Sequence, residues 1–166
     1  MLSGFYPPGR ASSRPALPGE LMRSDIIEQP EAIERTLSQE DVEEAVKLMM
    51  GRFVYITGSG TSYHASLVLQ RALTRIASAS SVAIPASELA EWIPERVYGT
   101  VGIAISQSGE SSDTVRAAEE IIRRGGRLVA VTNTPGSTLD EMAEVTLLTR
   151  AGPERAVAAT KTYTSQ

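Results

Sequence analysis

The sequence has no cysteine, and His64 is its only histidine. The absence of cysteine excludes disulfides, thiolate metal ligands and thiol nucleophiles. A lone histidine excludes a metal site built from several imidazoles. We therefore expect this chain to bind neither a metal ion nor a cofactor.

Long apolar runs and an excess of positive charge are also missing. No apolar stretch has the roughly 20 residues that cross a bilayer, and no apolar segment of a signal peptide follows Arg10 or Arg14. The net charge is −4, which provides no electrostatic footprint for nucleic acid. We expect a cytoplasmic protein that contacts neither a membrane nor a nucleic acid.

The first 51 residues divide into two predicted segments. Residues 1–22 are rich in proline, glycine and serine, which predicts a flexible lead. Residues 23–51 predict a helical hairpin, whose first helix lies in IIEQPEAIERTL with Pro30 in its first turn. In the second helix we expect Ser38 as N-cap, Gly51 at the end and an apolar face. That face consists of Val42, Ala45, Val46 and Met49.

Residues 52–166 alternate short apolar runs with helical patterns, which is typical of a parallel sheet covered by helices. The predicted strands are Phe53–Thr57, Val82–Pro85, Val101–Ser106, Leu128–Thr132 and Val145–Thr149. The predicted helices are Ser62–Ser78, Glu88–Trp92, Ser111–Arg124 and Leu139–Ala143, with a last one beginning near Thr160. The fold class is α/β, a three-layer, doubly wound, five-stranded parallel sheet in the flavodoxin-like order 2-1-3-4-5.

Two unusual loops follow the first and third predicted strands, which this order makes neighbours. They read TGSGTSYHA, from Thr57, and SQSGESSDT, from Ser106, and each leads into a helix N-terminus that favours an anion. Their hydroxyls belong to Ser59, Thr61, Ser62, Ser106, Ser108, Ser111 and Ser112. Two such loops at the switch point predict a phosphate site, whereas one alone is more often a capped helix. A dinucleotide site is disfavoured, because Tyr63 stands where the fingerprint needs its third glycine.

Five segments together resemble the first sugar isomerase (SIS) domain of glutamine–fructose-6-phosphate transaminases and related two-SIS-domain phosphosugar isomerases and deaminases. They are IIEQPEAIERTL, GSGTSYHA, SQSGESSDT, AVTNTPGSTL and AGPERAVAATKTYTSQ. The resemblance implies binding of fructose 6-phosphate or glucosamine 6-phosphate. It implies that the phosphate contacts Ser62, Ser106, Gln107, Ser108 and Ser111. It implies that the sugar contacts Gly60, Thr61, Val157 and Ala158.

The resemblance also implies that the catalytic groups are elsewhere. The glutaminase domain of such synthases has a cysteine nucleophile, and the ring-opening and isomerising groups belong to a second SIS domain beyond Gln166. We therefore expect a binding half without catalytic residues, which forms a homodimer or associates with a second SIS domain. Two alternatives stay open: a regulatory sugar-phosphate sensor, and a single-domain oligomeric isomerase. A base for the latter would come from His64, Glu88, Glu110 or Glu154.

Overall fold

A computed structural model describes residues 19–38 and 41–166, which form eight helices and five strands. The helices are α1 (Glu20–Ile27), α2 (Gln29–Leu37), α3 (Val42–Met49), α4 (Thr61–Ile76), α5 (Leu89–Trp92), α6 (Ser112–Arg123), α7 (Thr138–Met142) and α8 (Lys161–Thr164). The strands are β1 (Val54–Gly58), β2 (Ser81–Pro85), β3 (Val101–Ser106), β4 (Arg127–Thr132) and β5 (Val145–Leu148). Each predicted strand is present, with ends displaced by at most a residue.

The five strands form one parallel sheet in the order β2-β1-β3-β4-β5, which confirms the predicted fold class. Strands β1 and β3 are direct neighbours, and Gly58 at the end of β1 is in register with Ile105 of β3. The loops that follow these two strands therefore leave the sheet side by side at its carboxyl edge, which is where doubly wound folds bind ligands.

Apolar side chains fill both faces of the sheet. On one face, Ile56, Ile103 and Ile105 pack with residues of α3 and α4 in the largest cluster of buried side chains. On the other face, residues of α5, α6 and α7 pack against the sheet in two smaller clusters. This division follows from the alternation of side chains along a strand, which sends Ala104 to the face opposite its isoleucine neighbours.

Small residues let α6 approach the sheet closely. A side chain at Gly102 of β3 would begin 2.4 Å from Cδ1 of Ile121 in α6. Ala104 and Ala118 are also fully buried between these elements. The short distance between helix and sheet fixes where the N-terminus of α6 lies.

The N-terminal helices differ in part from the prediction. Helix α1 begins at Glu20, so the last residues of the predicted lead are helical, while residues 1–18 lie outside the described residues. Ser38 is not the N-cap of α3, as we predicted; it ends α2, and its Oγ donates to the Arg35 carbonyl. The residue that precedes α3 is Asp41. The predicted N-cap was wrong because Ser38 completes the preceding helix.

The predicted apolar faces of the helices are only partly buried. Ala45 of α3 and Ala65 of α4 lie in the core, but Val46, Val68 and Ile76 are exposed. No helix within the described part of the chain is both long and apolar enough to span a bilayer.

Candidate functional site

The first loop of the candidate site joins β1 to α4. A Cβ on Gly58 would lie 2.9 Å from the Ile105 carbonyl oxygen, so only glycine permits this approach between the two strand ends. Gly60 has a φ of 56° and turns the chain into the helix. Ser62 follows in the first turn, where its side chain is almost fully buried. The loop thus brings the N-terminus of a 16-residue helix against the end of β3.

The second loop joins β3 to α6 and is held by its own serines. The Gly109 N–H donates to Ser106 Oγ at 3.1 Å, and the Glu110 N–H donates to Ser108 Oγ at 3.2 Å. From the next loop along the sheet, the Asn133 N–H donates to the Gln107 carbonyl at 3.0 Å. This serine turn, residues 106–111, is therefore held by hydrogen bonds within itself and to the neighbouring loop at the carboxyl edge of the sheet.

A pocket of about 180 Å³ lies between the two loops. It is lined by Ser59, Thr61, Ser62, Ile105, Ser106, Gln107, Ser108, Ser111, Thr114 and Ala159. Ser59 Oγ and Thr114 Oγ1 lie 3.3 Å apart across the loops, and Thr114 Oγ1 donates to Ser111 Oγ at 3.3 Å. The hydroxyls of both loops thus belong to one connected site.

These hydroxyls do not cap the helices that follow them. Ser111, the residue before α6, forms no side-chain capping hydrogen bond, and Gly60, the residue before α4, has no side chain with which to cap. Capping was the alternative interpretation of so many serines and threonines at helix N-termini. Ser62 in the first turn of α4 and Ser111 before α6 therefore both line the same pocket.

The electrostatics of the pocket come from dipoles rather than from charged side chains. Most lining residues carry a hydroxyl, and no lining residue among those described is Lys, Arg, Asp or Glu. The N-termini of α4 and α6 each contribute a partial positive charge of roughly half a proton. Such a site favours a small anion that accepts several neutral hydrogen bonds.

The third wall of the pocket comes from the segment between β5 and α8. Ala159 lies in the lining, whereas the neighbouring Val157 and Ala158 are exposed. Glu154 accepts hydrogen bonds from the N–H and hydroxyl groups of both Thr160 and Thr162, which ties this segment to the start of α8. Burial alone raises the pKa of Glu154, but these hydrogen bonds outweigh it and lower the pKa.

Six of the nine predicted site residues lie together in the lining, namely Thr61, Ser62, Ser106, Gln107, Ser108 and Ser111. Gly60, Val157 and Ala158 are exposed and lie outside the lining. Sequence reasoning did not identify Ile105 or Thr114 as site residues. Thr114 had a usable signal, because it lies three residues after Ser111 and so on the same face of α6.

Comparison with known proteins identifies the family. The family described as SIS domain matches residues 48–166, which is more than half of the chain. The chain belongs to the SIS domain family. Both loops of the pocket, and the segment that carries Ala159, fall within the matched region.

Two relatives of this SIS domain have the same name. The chain is 46% identical over 151 residues to the isomerizing glutamine–fructose-6-phosphate aminotransferase of Pyrobaculum aerophilum, and 42% identical over 151 residues to that of Aeropyrum pernix. A solved structure, the C-terminal domain of glucosamine-fructose-6-phosphate aminotransferase from Francisella tularensis, superposes with a TM-score of 0.79 at 29% identity. These comparisons support the resemblance inferred from the sequence.

The SIS domain corresponds to only part of each relative. Each alignment covers 87% of this chain, but 25% of the Pyrobaculum protein, 24% of the Aeropyrum protein and 43% of the Francisella chain. The chain therefore spans about a quarter of the length of the curated relatives it matches.

The four candidate bases all lie outside the pocket lining of this SIS domain. His64 is exposed in the first turn of α4, and Glu88 is exposed before α5. Glu110 accepts hydrogen bonds from the Thr138 N–H at 2.7 Å and the Thr138 hydroxyl at 2.8 Å, which lower its pKa. The Glu154 carboxylate already accepts hydrogen bonds from Thr160 and Thr162 at the start of α8. Over residues 19–38 and 41–166, no three His, Asp or Glu side chains form a group that could hold a metal ion.

Proposed function

We propose that this SIS domain binds a hexose 6-phosphate and forms the phosphosugar-binding half of an enzyme that acts on fructose 6-phosphate and glucosamine 6-phosphate. The observation that carries this proposal is the pocket between the serine turn and the N-terminus of α4. Its hydroxyls come from two loops, are not used for capping, and surround a space that receives two helix dipoles.

The phosphate is the part of the ligand that fits the pocket. We assign its oxygens to the side chains of Ser62, Ser106, Gln107, Ser108 and Ser111. Because these donors are neutral, a bound phosphate is held by hydrogen bonds and helix dipoles without a permanent counter-charge. Such a site suits a ligand that must be released after each reaction.

The sugar extends beyond the pocket. A volume of about 180 Å³ is below the roughly 300–1,000 Å³ of pockets that enclose a whole small ligand. We assign the sugar ring or chain to the exposed rim, where Gly60, Thr61, Val157 and Ala158 are available. The names of the aminotransferase relatives support fructose 6-phosphate as the ligand to test first.

Calorimetry with four ligands tests the proposed function: fructose 6-phosphate, glucose 6-phosphate, unphosphorylated fructose, and NAD. We expect saturable binding of the two sugar phosphates and none of fructose or NAD, because the pocket recognises the phosphate and has no room for a dinucleotide. Binding of NAD alone, or equal affinity for fructose and its phosphate, would overturn the proposal.

We further propose that the domain associates with a second copy or with another SIS domain. Apolar side chains of the N-terminal helices and α4 are exposed, including Ile27, Leu37, Val68 and Ile76. Exposed apolar surface of this kind is typical of interaction sites. Light scattering of the purified chain across a concentration series tests this association, and a monomer at all concentrations would contradict the homodimer.

A further inference from the structure

The pocket wall that carries Ala159 belongs to a segment with little regular structure of its own. Between the end of β5 at Leu148 and the start of α8 at Lys161, no helix or strand is formed. Such a segment depends on side chains from elsewhere for its position. The most buried of these side chains is Asp25 of α1, which is distant in sequence and fully inaccessible to solvent.

Asp25 accepts hydrogen bonds from two consecutive backbone groups of this segment. Its Oδ2 lies 2.9 Å from the Arg155 N–H nitrogen and 2.9 Å from the Ala156 N–H nitrogen. Its Oδ1 accepts from Arg155 Nε at 3.1 Å. One carboxylate therefore holds both the main chain and a side chain of the segment, three residues before Ala159.

The other end of the segment is tied to the same helix. Lys161 Nζ lies 2.5 Å from Glu28 Oε2 and 3.3 Å from Asp25 Oδ1, and the lysine side chain is only 1% exposed. Arg155 also forms an ion pair with Glu28. A buried lysine needs such partners, because an unpaired charge in the interior is strongly unfavourable. The main chain between Arg155 and Lys161 is thus held at both ends by the carboxylates of Asp25 in α1 and of Glu28, the residue between α1 and α2.

We propose that Asp25 is a positioning residue for the phosphosugar pocket. By accepting hydrogen bonds from the amides of Arg155 and Ala156, Asp25 sets the position of Ala159 and of the rim residues Val157 and Ala158. This inference rests on the proposed function, because it assigns a role towards the same ligand. Asp25 does not line the pocket and touches no ligand in this proposal. It acts by ordering the wall before the ligand arrives, which lowers the entropy lost on binding.

The first test uses the wild-type chain and amide hydrogen exchange. The Ala156 N–H is held by Asp25, whereas the Val157 N–H has no hydrogen-bond partner among the described residues. We expect Ala156 to exchange at least roughly tenfold more slowly than Val157 after correction for intrinsic rates. Equal rates would overturn the proposal without reference to any ligand.

The second test compares two variants by calorimetry with fructose 6-phosphate. Asp25→Asn removes the charge and replaces one carboxylate oxygen by an NH2 donor, so a single, weaker acceptor remains where Oδ2 accepts from both amides and Oδ1 faces Arg155 and Lys161. We expect affinity to fall by about tenfold and Ala156 exchange to accelerate. The matched control is Glu144→Gln, which breaks an ion pair with Arg127 at the opposite edge of the sheet. We expect the control to lose some thermal stability and to keep wild-type affinity.

The outcomes separate this inference from the proposed function. If wild-type chain fails to bind any hexose 6-phosphate, the proposed function fails, and the exchange rates still test the role of Asp25 in ordering the wall. If wild type binds and Asp25→Asn binds equally well, the positioning role is wrong. Equal loss of affinity in Asp25→Asn and Glu144→Gln would also overturn it, because that result reports general destabilisation.

Discussion

At the scale of single residues, Ser108 of the serine turn has a structural contact and a proposed ligand contact that experiments can separate. Its Oγ accepts a hydrogen bond from the Glu110 N–H within the turn, and the same hydroxyl is assigned to the phosphate. We expect Ser108→Ala to weaken binding of fructose 6-phosphate by roughly tenfold to a hundredfold, since a hydrogen bond to a charged group contributes about 1.5–3 kcal/mol. Calorimetry measures this loss directly.

The stability of the Ser108→Ala variant decides between ligand binding and structure. Because Ser108 is exposed, we expect its free energy of unfolding to change by less than about 0.5 kcal/mol. Ser80→Ala is the matched control, an exposed serine just before β2 at the opposite edge of the sheet. A variant that loses stability but keeps affinity would identify Ser108 as a structural residue of the turn.

Asp25 leads to a prediction about acid stability. Its burial raises the pKa, but hydrogen bonds from the Ala156 and Arg155 amides, from Arg155 and from Lys161 outweigh burial and bring the pKa to about 2, against 3.8 for a free side chain. A carboxylate with a lowered pKa stabilises the fold fully above the unfolded-state value and loses this contribution as pH falls through the folded-state value. The loss therefore occurs between about pH 4 and pH 2.

Chemical denaturation at several pH values checks this contribution. Other carboxylates, including Glu28 and Glu154, also have lowered pKa values and contribute to acid sensitivity, so the informative quantity is the difference between wild type and Asp25→Asn. We expect the variant to show a shallower fall in unfolding free energy, by at most about 1.4 kcal/mol per pH unit for one group. If the unfolding free energies of wild type and Asp25→Asn fall equally with decreasing pH, Asp25 has the same pKa in the folded and unfolded chains, which would contradict this prediction.

Sequence reasoning located some site residues and missed others for a physical reason. The serine turn and Ser62 were identified because both lie within a few residues of a strand end, where local pattern determines position. The contact of Asp25 with the segment that carries Ala159 was missed, because the two lie about 130 positions apart in the chain. No local periodicity reports a contact of that kind.

At the scale of elements, the serine turn depends on Gly109. This glycine has a φ of 69°, and a Cβ there would lie 2.0 Å from Ser137 Oγ at the start of α7. Gly136 has a similar φ of 71° with nothing within 4 Å of its Cβ position. The two glycines share a left-handed backbone conformation, which glycine adopts without strain, and differ in the space around them.

We expect Gly136→Ala to cost about 1–2 kcal/mol of unfolding free energy, from the left-handed backbone alone. Gly109→Ala carries the same cost and a steric clash, which adds about 1–3 kcal/mol. It also displaces the serine turn, so we expect its affinity for fructose 6-phosphate to fall while Gly136→Ala keeps wild-type affinity. Equal stability of the two variants would show that Ser137 moves aside without cost.

The strands were predicted better than the helical hairpin. Buried parallel strands are short apolar runs bounded by glycine and polar residues, so Val101–Ser106 was predicted with its observed ends. The ends of amphipathic helices depend on tertiary contacts as well as on local sequence. Thr36 and Arg35 of α2 donate to carbonyls of Thr149 and Arg150, contacts that help to define how α2 ends and that no local pattern indicates.

At the scale of the whole molecule, three parts of the fold position the walls of the candidate site. The sheet register places β1 beside β3, close packing over Gly102 places α6 against the sheet, and Asp25 and Glu28 hold the segment before α8. Each contribution comes from a different part of the chain. If the proposed role of Asp25 is correct, the N-terminal helices belong to the binding unit.

The same view of the molecule predicts that this chain binds its ligand without converting it. Interconversion of fructose 6-phosphate and glucosamine 6-phosphate needs one group to open the sugar ring and a base to move a proton between the first two carbons. The pocket lining provides hydroxyls and one amide, and His64 is exposed outside it. Phosphate binding stabilises substrate and transition state alike, so it does not replace an acid or a base.

We expect purified chain supplied with fructose 6-phosphate and ammonia to give no turnover above background in a coupled assay, and His64→Ala to behave identically. Turnover that disappears in His64→Ala would contradict this prediction and favour a single-domain isomerase in which His64 is the base.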